Sequence, residues 1–319
     1  MAIINVDDAY ILNETGAQVD KVTGLFTKDE STTAAEKAFA QLNIGTAGSN
    51  RNLLDNPWFT VNQRGFTSGN MGALVYWADR WMNNTDTTNP STLSLNNGIV
   101  TITTPSGTGR FGNILQTLAD PNAIDGKVVT LSALKSDGTI ISGTITRTAA
   151  TTQDAYNEGG IILRLSSTNR FNVQVESGKT LSIKAAKLEL GTVSTLANDT
   201  PPDYGTELIK CRGYFERIHS LGSSEIVGMG MGVSASSVRI GIPSLICHTI
   251  QSVTYSGGGL LLEGGGNYRT LTSIGRLNTT PKNGFLTLTC GSSDAITPYQ
   301  TYALVGTAAG GYIDISADL

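Results

Sequence analysis

Residues Lys187–Arg217 read KLELGTVSTLANDTPPDYGTELIKCRGYFER, a stretch that joins the end of one β-region to a helix and to the start of another β-region. Leu188 and Leu190 alternate with polar neighbours and stop at Gly191, the pattern of a last strand bounded by a turn. Thr200 fits a helix N-cap. Pro201 and Pro202 fit a first turn, whose backbone donors have no helical partner, and Asp203 and Glu207 suit the positive helix end. Tyr204, Leu208, Cys211, Phe215 and Ile218 then follow at four-three-four-three spacing, which predicts one narrow apolar stripe on an amphipathic linker helix. Such a stripe is buried either on the adjacent sheet or in a self-associating seam.

The rest of the chain agrees with a mainly β class. Its 319 residues, 39% hydrophobic and 15% charged, are enough for two or three cores. Thirty-seven glycines and short β-branched runs parted by Asn-Gly, Asp-Gly and Gly-Gly pairs are what many short strands and tight turns require. A formal charge of −4 and the lack of a basic stripe exclude a nucleic-acid surface, which needs clustered Lys and Arg to displace counterions. Cys211, Cys247 and Cys290 are odd in number and widely spaced, so they form no disulfide framework and no CxxC-type metal site, and are expected to be buried as small apolar residues. MAIINVDDAYILNETG lacks the basic region and apolar core of a leader, and no segment has the length of a membrane span. The expectation is a chain made and assembled in a cytoplasm, without membrane insertion.

Four regions are expected. Residues 1–50 begin with a strand around Ile3, Ile4, Val6 and Tyr10 and continue to a short helix, Thr32 to Leu42, with Phe39 and Leu42 on its apolar face. That segment is too small to bury its own apolar face. Ile3, Ile4, Tyr10, Phe39 and Leu42, with Leu208 and Phe215 of the linker helix, are therefore candidates for anchoring or oligomerisation. Residues 51–198 predict a β-sandwich or jelly roll, with strands at Thr92–Leu95, Ile99–Thr103, Lys127–Leu134, Thr139–Thr148, Gly160–Leu165, Phe171–Val175 and Leu181–Leu190. Residues 199–222 hold the linker helix. Residues 223–319 predict a second β-sandwich, with strands at Val233–Ile242, Ile246–Tyr255, Gly259–Glu263, Tyr268–Arg276, Gly284–Cys290 and Tyr312–Ala317. The alternating Gly228-Met229-Gly230-Met231-Gly232 run has no Lys-Ser/Thr ending and no βαβ context, so it reads as a strand where two backbones approach closely rather than as a phosphate loop.

Two blocks carry a family resemblance. KLELGTVSTL followed by PPDYGTELIKCRGYFER resembles a linker of bacteriophage fibre and receptor-binding proteins, in which KLELG leads through Pro and Tyr to ELxxCxRYY; Gly213 stands where that pattern often has arginine. Asn52–Gly65 (NLLDNPWFTVNQRG), with Ala78-Asp79-Arg80-Trp81 downstream, is similar to the opening of the same module, NLLxNPxFxxNQRG and ADRW. The blocks bracket about half of the chain. The resemblance implies a virion structural protein of the head or tail, a homotrimer attached through its N-terminus to capsid or tail proteins, with carbohydrate-binding-module-like β-domains facing host-surface polysaccharide. Weak single contacts gain strength when several copies engage one surface.

Catalytic constellations are poor. His219 and His248 are the only histidines, and neither is placed for a Cys-His pair. Carboxylates such as Asp79, Asp125, Asp137, Glu263 and Asp294 mostly fall in turns, where capping and solvated roles are usual. No catalytic residue, metal or cofactor is expected, and the chain reads as a non-enzyme. All three tryptophans, Trp58, Trp77 and Trp81, lie close together beside Asp79 and Arg80, as either core fillers with a polar lock or a glycan platform. Tyr255, Tyr268 and Arg269, near Gly-rich turns, form a rival ligand surface with Tyr299 and Tyr302. The leading expectation is a fibre or decoration protein that binds host glycans. The alternatives are a purely architectural head-fibre or tail protein and, third, a glycan hydrolase.

Overall fold

The computed structural model describes residues 50–148, 151–219, 225–256, 260–276, 285–307 and 311–318, and in them the chain is mainly β. The strand and helix expected within residues 1–50, with Ile3, Ile4, Tyr10, Phe39 and Leu42, lie outside the described residues. Residues 51–319 form a compact unit of their own.

The first half contains β1 (Ser68–Asn70), β2 (Val75–Ala78), β3 (Trp81–Thr85), β4 (Thr92–Asn96), β5 (Ile99–Thr103), β6 (Phe111–Thr117), β7 (Val128–Lys135), β8 (Ile140–Thr146), β9 (Gln153–Glu158), β10 (Ile161–Leu165), β11 (Arg170–Glu176) and β12 (Thr180–Leu190). They build two antiparallel six-stranded sheets, ordered β1-β4-β5-β12-β7-β8 and β2-β3-β6-β11-β10-β9. Alternation explains the pairing of faces: Val100 and Ile102 of β5, and Phe171, Val173 and Val175 of β11, enter one core between the sheets. A register shift between Ile183 and Ala185 in the pairing of β12 with β7 resets the parity, so Leu181 and Ile183 before it and Ala186 and Leu188 after it all face the core. The same shift leaves Lys187 and Glu189 on the far face, and the turn after Gly191 folds back over them. Lys187 Nζ lies 2.7 Å from Asp199 Oδ1 and 2.8 Å from Thr195 Oγ1, and Glu189 accepts the Thr195 N–H at 2.8 Å. The charges of KLELG thus fix the path of the chain toward the helix.

The linker helix, α1 (Tyr204–Arg212), differs from the expected one at both ends. Its N-cap is Asp203, whose carboxylate accepts the Thr206 N–H at 2.8 Å, so Pro201 and Pro202 precede the helix. It stops at Arg212, and β13 (Phe215–His219) begins. Phe215 and Ile218 belong to this strand, which pairs antiparallel with β21 (Tyr312–Ser316), and the ladder replaces the helical turn that the apolar spacing predicted. Phe215 is buried within its own chain and Leu208 is half-buried, so the five-residue seam does not form.

The C-terminal part comprises β14 (Ile226–Ser234), β15 (Ser237–Pro243), β16 (Ser252–Tyr255), β17 (Leu260–Gly264), β18 (Asn267–Arg276), β19 (Phe285–Ser292) and β20 (Thr301–Gly306), with β21 last. In place of a second sandwich, β14-β15-β19-β18-β17-β20 close into a six-stranded barrel, and β13-β21-β16 form a separate three-stranded sheet. The run Val233–Ile242, expected as one strand, belongs to two, because the chain reverses at Ala235-Ser236 without a Gly or Pro signal. Closure is possible because Gly228, Gly230 and Gly232 of β14 face inward: a Cβ on each would lie 2.7 Å from the Gly241 carbonyl oxygen, 1.7 Å from that of Arg239 and 2.4 Å from that of Thr297, respectively. The close-approach reading of the Gly-Met run is therefore correct. No helix among the described residues is long and apolar enough to cross a membrane.

Candidate functional site

The residues of the two resemblance blocks meet at one seam. Asn56 donates through Nδ2 to the Val61 and Asp79 carbonyls at 2.8 and 3.0 Å, and its own N–H reaches Glu207 Oε1 of α1 at 2.6 Å. Trp81 Nε1 donates to the Asn56 carbonyl at 2.9 Å. Gln63 bonds both oxygens of Asp79, at 2.6 and 2.7 Å, and donates to the Phe215 carbonyl at 2.9 Å. Arg80 lies 3.0 Å from Asp55 and 3.7 Å from Asp318, donates to the Thr117 carbonyl at 2.9 Å, and stacks 3.7 Å over Tyr214. Arg64 pairs with Asp318 and covers the Phe215 ring at 3.6 Å. Sandwich, helix and C-terminus share one hydrogen-bonded lock.

Trp77, Asp79, Arg80 and Trp81 are therefore corrected from ligand candidates to core and lock, each 2% exposed or less. Phe59 packs on Trp81 with ring centroids 5.0 Å apart, and Phe171 meets Trp81 edge-on at 6.2 Å. In the rival set Arg269 is spent on the Ala295 and Gly264 carbonyls at 2.8 and 2.7 Å, Tyr255 packs on the barrel core, and Tyr302 is fully buried; Tyr268 and Tyr299 remain exposed.

Burial raises the Asp79 carboxyl and pushes that of Asp318 up to about 6, against the pull of Arg64 and Arg80. A carboxyl with a higher pKa in the fold than in the unfolded chain keeps its proton where the unfolded chain has lost it. Its contribution to stability is complete below about pH 4 and is lost as pH rises through about 6. Asp318→Asn is expected to remove about 2 kcal/mol of that decline between pH 4 and 6, read by urea unfolding across the window beside the parent chain; parallel curves would show that Asp318 does not titrate there.

In front of the lock opens a cleft of ≈ 680 Å³. One wall is the turn Asn56–Phe59, whose first and last residues have positive φ, 49° and 54°; this turn sends Phe59 into the core and leaves Trp58 half-buried on the cleft wall. α1 also lines it, with Glu207 and Lys210. Asp55 and Asp199 line it as well, and each pairs with a buried cation, Arg80 at 3.0 Å and Lys187 at 2.7 Å. His248 stacks on Tyr214 with centroids 4.1 Å apart, and burial lowers its pKa, favouring the neutral ring. Cys247, expected to be buried, is exposed: it lies outside any strand, its thiol 3.7 Å from the Gly213 carbonyl. Cys211 and Cys290 are buried, and burial raises both thiols, Cys290 to about 12, so neither is a nucleophile. Among the described residues no group of three His, Cys, Asp or Glu side chains comes together to hold a metal ion.

Of the sequence-selected ligand residues only Trp58 reaches this cleft. Asp55, Asp199, Glu207 and Lys210 were not selected, although all lie within or beside the resemblance blocks. Their signal was position in those blocks rather than residue type. No protein-family model matches the chain, and no curated protein matches it either.

Proposed function

We propose that this chain is a bacteriophage virion structural protein, a homotrimeric fibre or decoration protein of the head or tail. It attaches through residues 1–50 to capsid or tail proteins and carries its β-domains outward to host-surface glycans. The observation that carries the reading is the lock: Asn56, Gln63, Arg64, Asp79, Arg80 and Glu207, all from the resemblance blocks, tie the sandwich to α1 and to Asp318 at the far end of the chain. A projecting module must pass load between its parts, and such a seam supplies that continuity. The cleft beside it, lined by Trp58 with Asp55, Asp199, Glu207 and Lys210, supports glycan contact over a purely architectural role. Asp55, Asp199 and Glu207 each sit beside a cation, which suits holding a sugar better than protonating its leaving oxygen, so cleavage is the weaker reading. Particles made with a chain lacking residues 1–50 should lose this protein while residues 51–319, a compact unit, still fold. Undiminished virion content in that deletant, measured by quantitative mass spectrometry of purified particles, refutes the anchor.

A further inference from the structure

The geometry points to a covalent cross-link inside this chain: an amide between Lys187 Nζ of β12 and the side-chain carboxyl of Asp199, formed without an enzyme and with Glu189 as proton carrier. Lys187 Nζ lies 2.7 Å from Asp199 Oδ1, so the carboxyl carbon that bears this oxygen is next to the amine. A second carboxylate completes the set. Glu189 Oε2 is 3.6 Å from the same nitrogen, and the Thr195 hydroxyl bonds to both, 2.8 Å from Nζ and 2.5 Å from Glu189 Oε2. The Lys187 and Glu189 side chains are 0% exposed and that of Asp199 is 12% exposed. A lysine beside a carboxylate is not enough by itself. Among the described residues Lys135 meets Asp137 at 3.0 Å and Lys210 meets Glu207 at 3.2 Å, but those lysine side chains are 31% and 53% exposed. Water solvates their charges, and nothing favours a neutral product there. At Lys187 burial strips the charges of water, a cost that pairing returns only in part, whereas an amide carries no charge. Fixed in one pocket, amine and carboxyl also reach effective concentrations of about 10⁵ M or more, as a condensation that bulk water opposes requires.

The step balances within these side chains. Glu189 takes a proton from the Lys187 ammonium through the Thr195 hydroxyl, which leaves a nucleophilic amine. The nitrogen lone pair attacks Asp199 Cγ. Glu189 then passes that proton, and a second from the nitrogen, to one Asp199 oxygen, whose bond to carbon breaks. Two of the three ammonium protons thus leave with that oxygen as water, the third stays on the amide nitrogen, and no oxidant, reductant or co-reactant enters. Asp199 lines the cleft, so the water has an exit, and the remaining oxygen stays as a hydrogen-bond acceptor. The bond spans 12 positions and closes residues 191–198 onto β12. Tension between the sandwich and α1 then runs through one amide instead of through that turn, and the cross-link narrows the unfolded ensemble as a disulfide does. Bond formation needs only the folded chain and does not rest on the virion reading.

Mass spectrometry reads the bond directly. The full chain, purified, unfolded and weighed intact, is expected to be lighter than its sequence by one water. When the unfolded chain is dimethylated at its amines, Lys187 should stay unlabelled while Lys135 and Lys210 are labelled, and tandem spectra of a digest should show Lys187 joined to Asp199. Asp199→Ala should keep its full mass. Glu189→Gln should slow linking by about a hundredfold or more, with native circular dichroism retained. A parent chain of full mass with Lys187 labelled overturns the proposal whatever the variants do, so it stays falsifiable even where a variant fails to fold. A lost water that tandem spectra place elsewhere, at a Thr195–Glu189 ester or a succinimide, overturns it as well. Linking of folded Glu189→Gln at the parent rate overturns Glu189 as the proton carrier.

Discussion

Arg80→Ala is expected to destabilise the folded chain by about 3–5 kcal/mol, the range for removing one partner of a buried ion pair. The guanidinium is 1% exposed and serves four neighbours: Asp55, Asp318, the Thr117 carbonyl and the Tyr214 ring. Truncation strands more than the arginine. Asp318, with a side chain 1% exposed, keeps only Arg64 as a cation, and the Thr117 carbonyl loses a charge-assisted donor. Tyr214 loses the cation on one face and rests on His248 alone on the other. The loss spreads to the C-terminal sheet, because Asp318 lies two residues past β21 and the Ala317 N–H between them donates to the Tyr214 carbonyl at 2.7 Å. In a unit of this size the thermal midpoint should fall by about 10 °C. Arg80→Lys should recover only part of this, since one ammonium cannot reproduce a planar fork that serves two carboxylates and a carbonyl. An Arg80→Ala chain within about 1 kcal/mol of the parent would mean that the seam is held by its apolar contacts.

The arginine also shows what a linear sequence can and cannot disclose. Its neighbourhood could be read as a polar lock, because an Asp-Arg pair between two tryptophans has few ways to be buried. Asp318, the carboxylate that Arg80 shares with Arg64, was not legible: it is separated from Arg64 by 254 positions, and nothing local marks an aspartate just past a strand as buried. The strands divide in the same way. Ile99–Thr103 was placed to the residue and Val128–Lys135 to within one, since apolar and polar residue types alternate in both, although in the second Thr130 and Ser132 are buried as well. β6, FGNILQT, was missed because most of its residues are buried on both faces, which erases the alternation, and β3, WMNNT, because Asn83 is a buried residue of polar type. The helix was foreseen but drawn too long, since four-three spacing continues by coincidence into a strand that only β21 could specify. The cleft fared worst. It is assembled from the Asn52–Trp58 segment, the chain around Asp120, α1 and the Cys247-His248 loop, and only Trp58 drew notice from residue type alone.

Gly230→Ala is expected to cost about 3 kcal/mol or more and to open the barrel, while Gly241→Ala, on the neighbouring strand, should fall within about 0.5 kcal/mol of the parent. The two glycines look alike in sequence and differ in what lies beyond the missing side chain. At Gly230 a Cβ would lie 1.7 Å from the Arg239 carbonyl oxygen and 2.8 Å from Ile240 Cα, both backbone atoms of the strand it pairs with. No rotamer relieves such a contact; β14 or β15 must move by more than an ångström. β14 is hydrogen-bonded on both sides, to β15 and β20, so its displacement breaks the ring at two ladders. At Gly241 the nearest atom to an added Cβ is the Met229 carbonyl oxygen at 3.9 Å, ordinary contact, and the alanine also narrows the unfolded ensemble. The alternation follows from this geometry. Inward positions of β14 must be glycine for the wall to curve tightly, and the outward ones carry Met229 and Met231, which face open solvent at 56% and 48% exposure and are free of that restriction. Urea unfolding of both variants, with near-ultraviolet circular dichroism for the packing of Tyr302 inside the barrel, separates the cases. Equal, small losses would show that β14 can shift outward without cost, and closure would then rest on the side chains of β15, β17 and β19 instead of on the absence of a Cβ in β14.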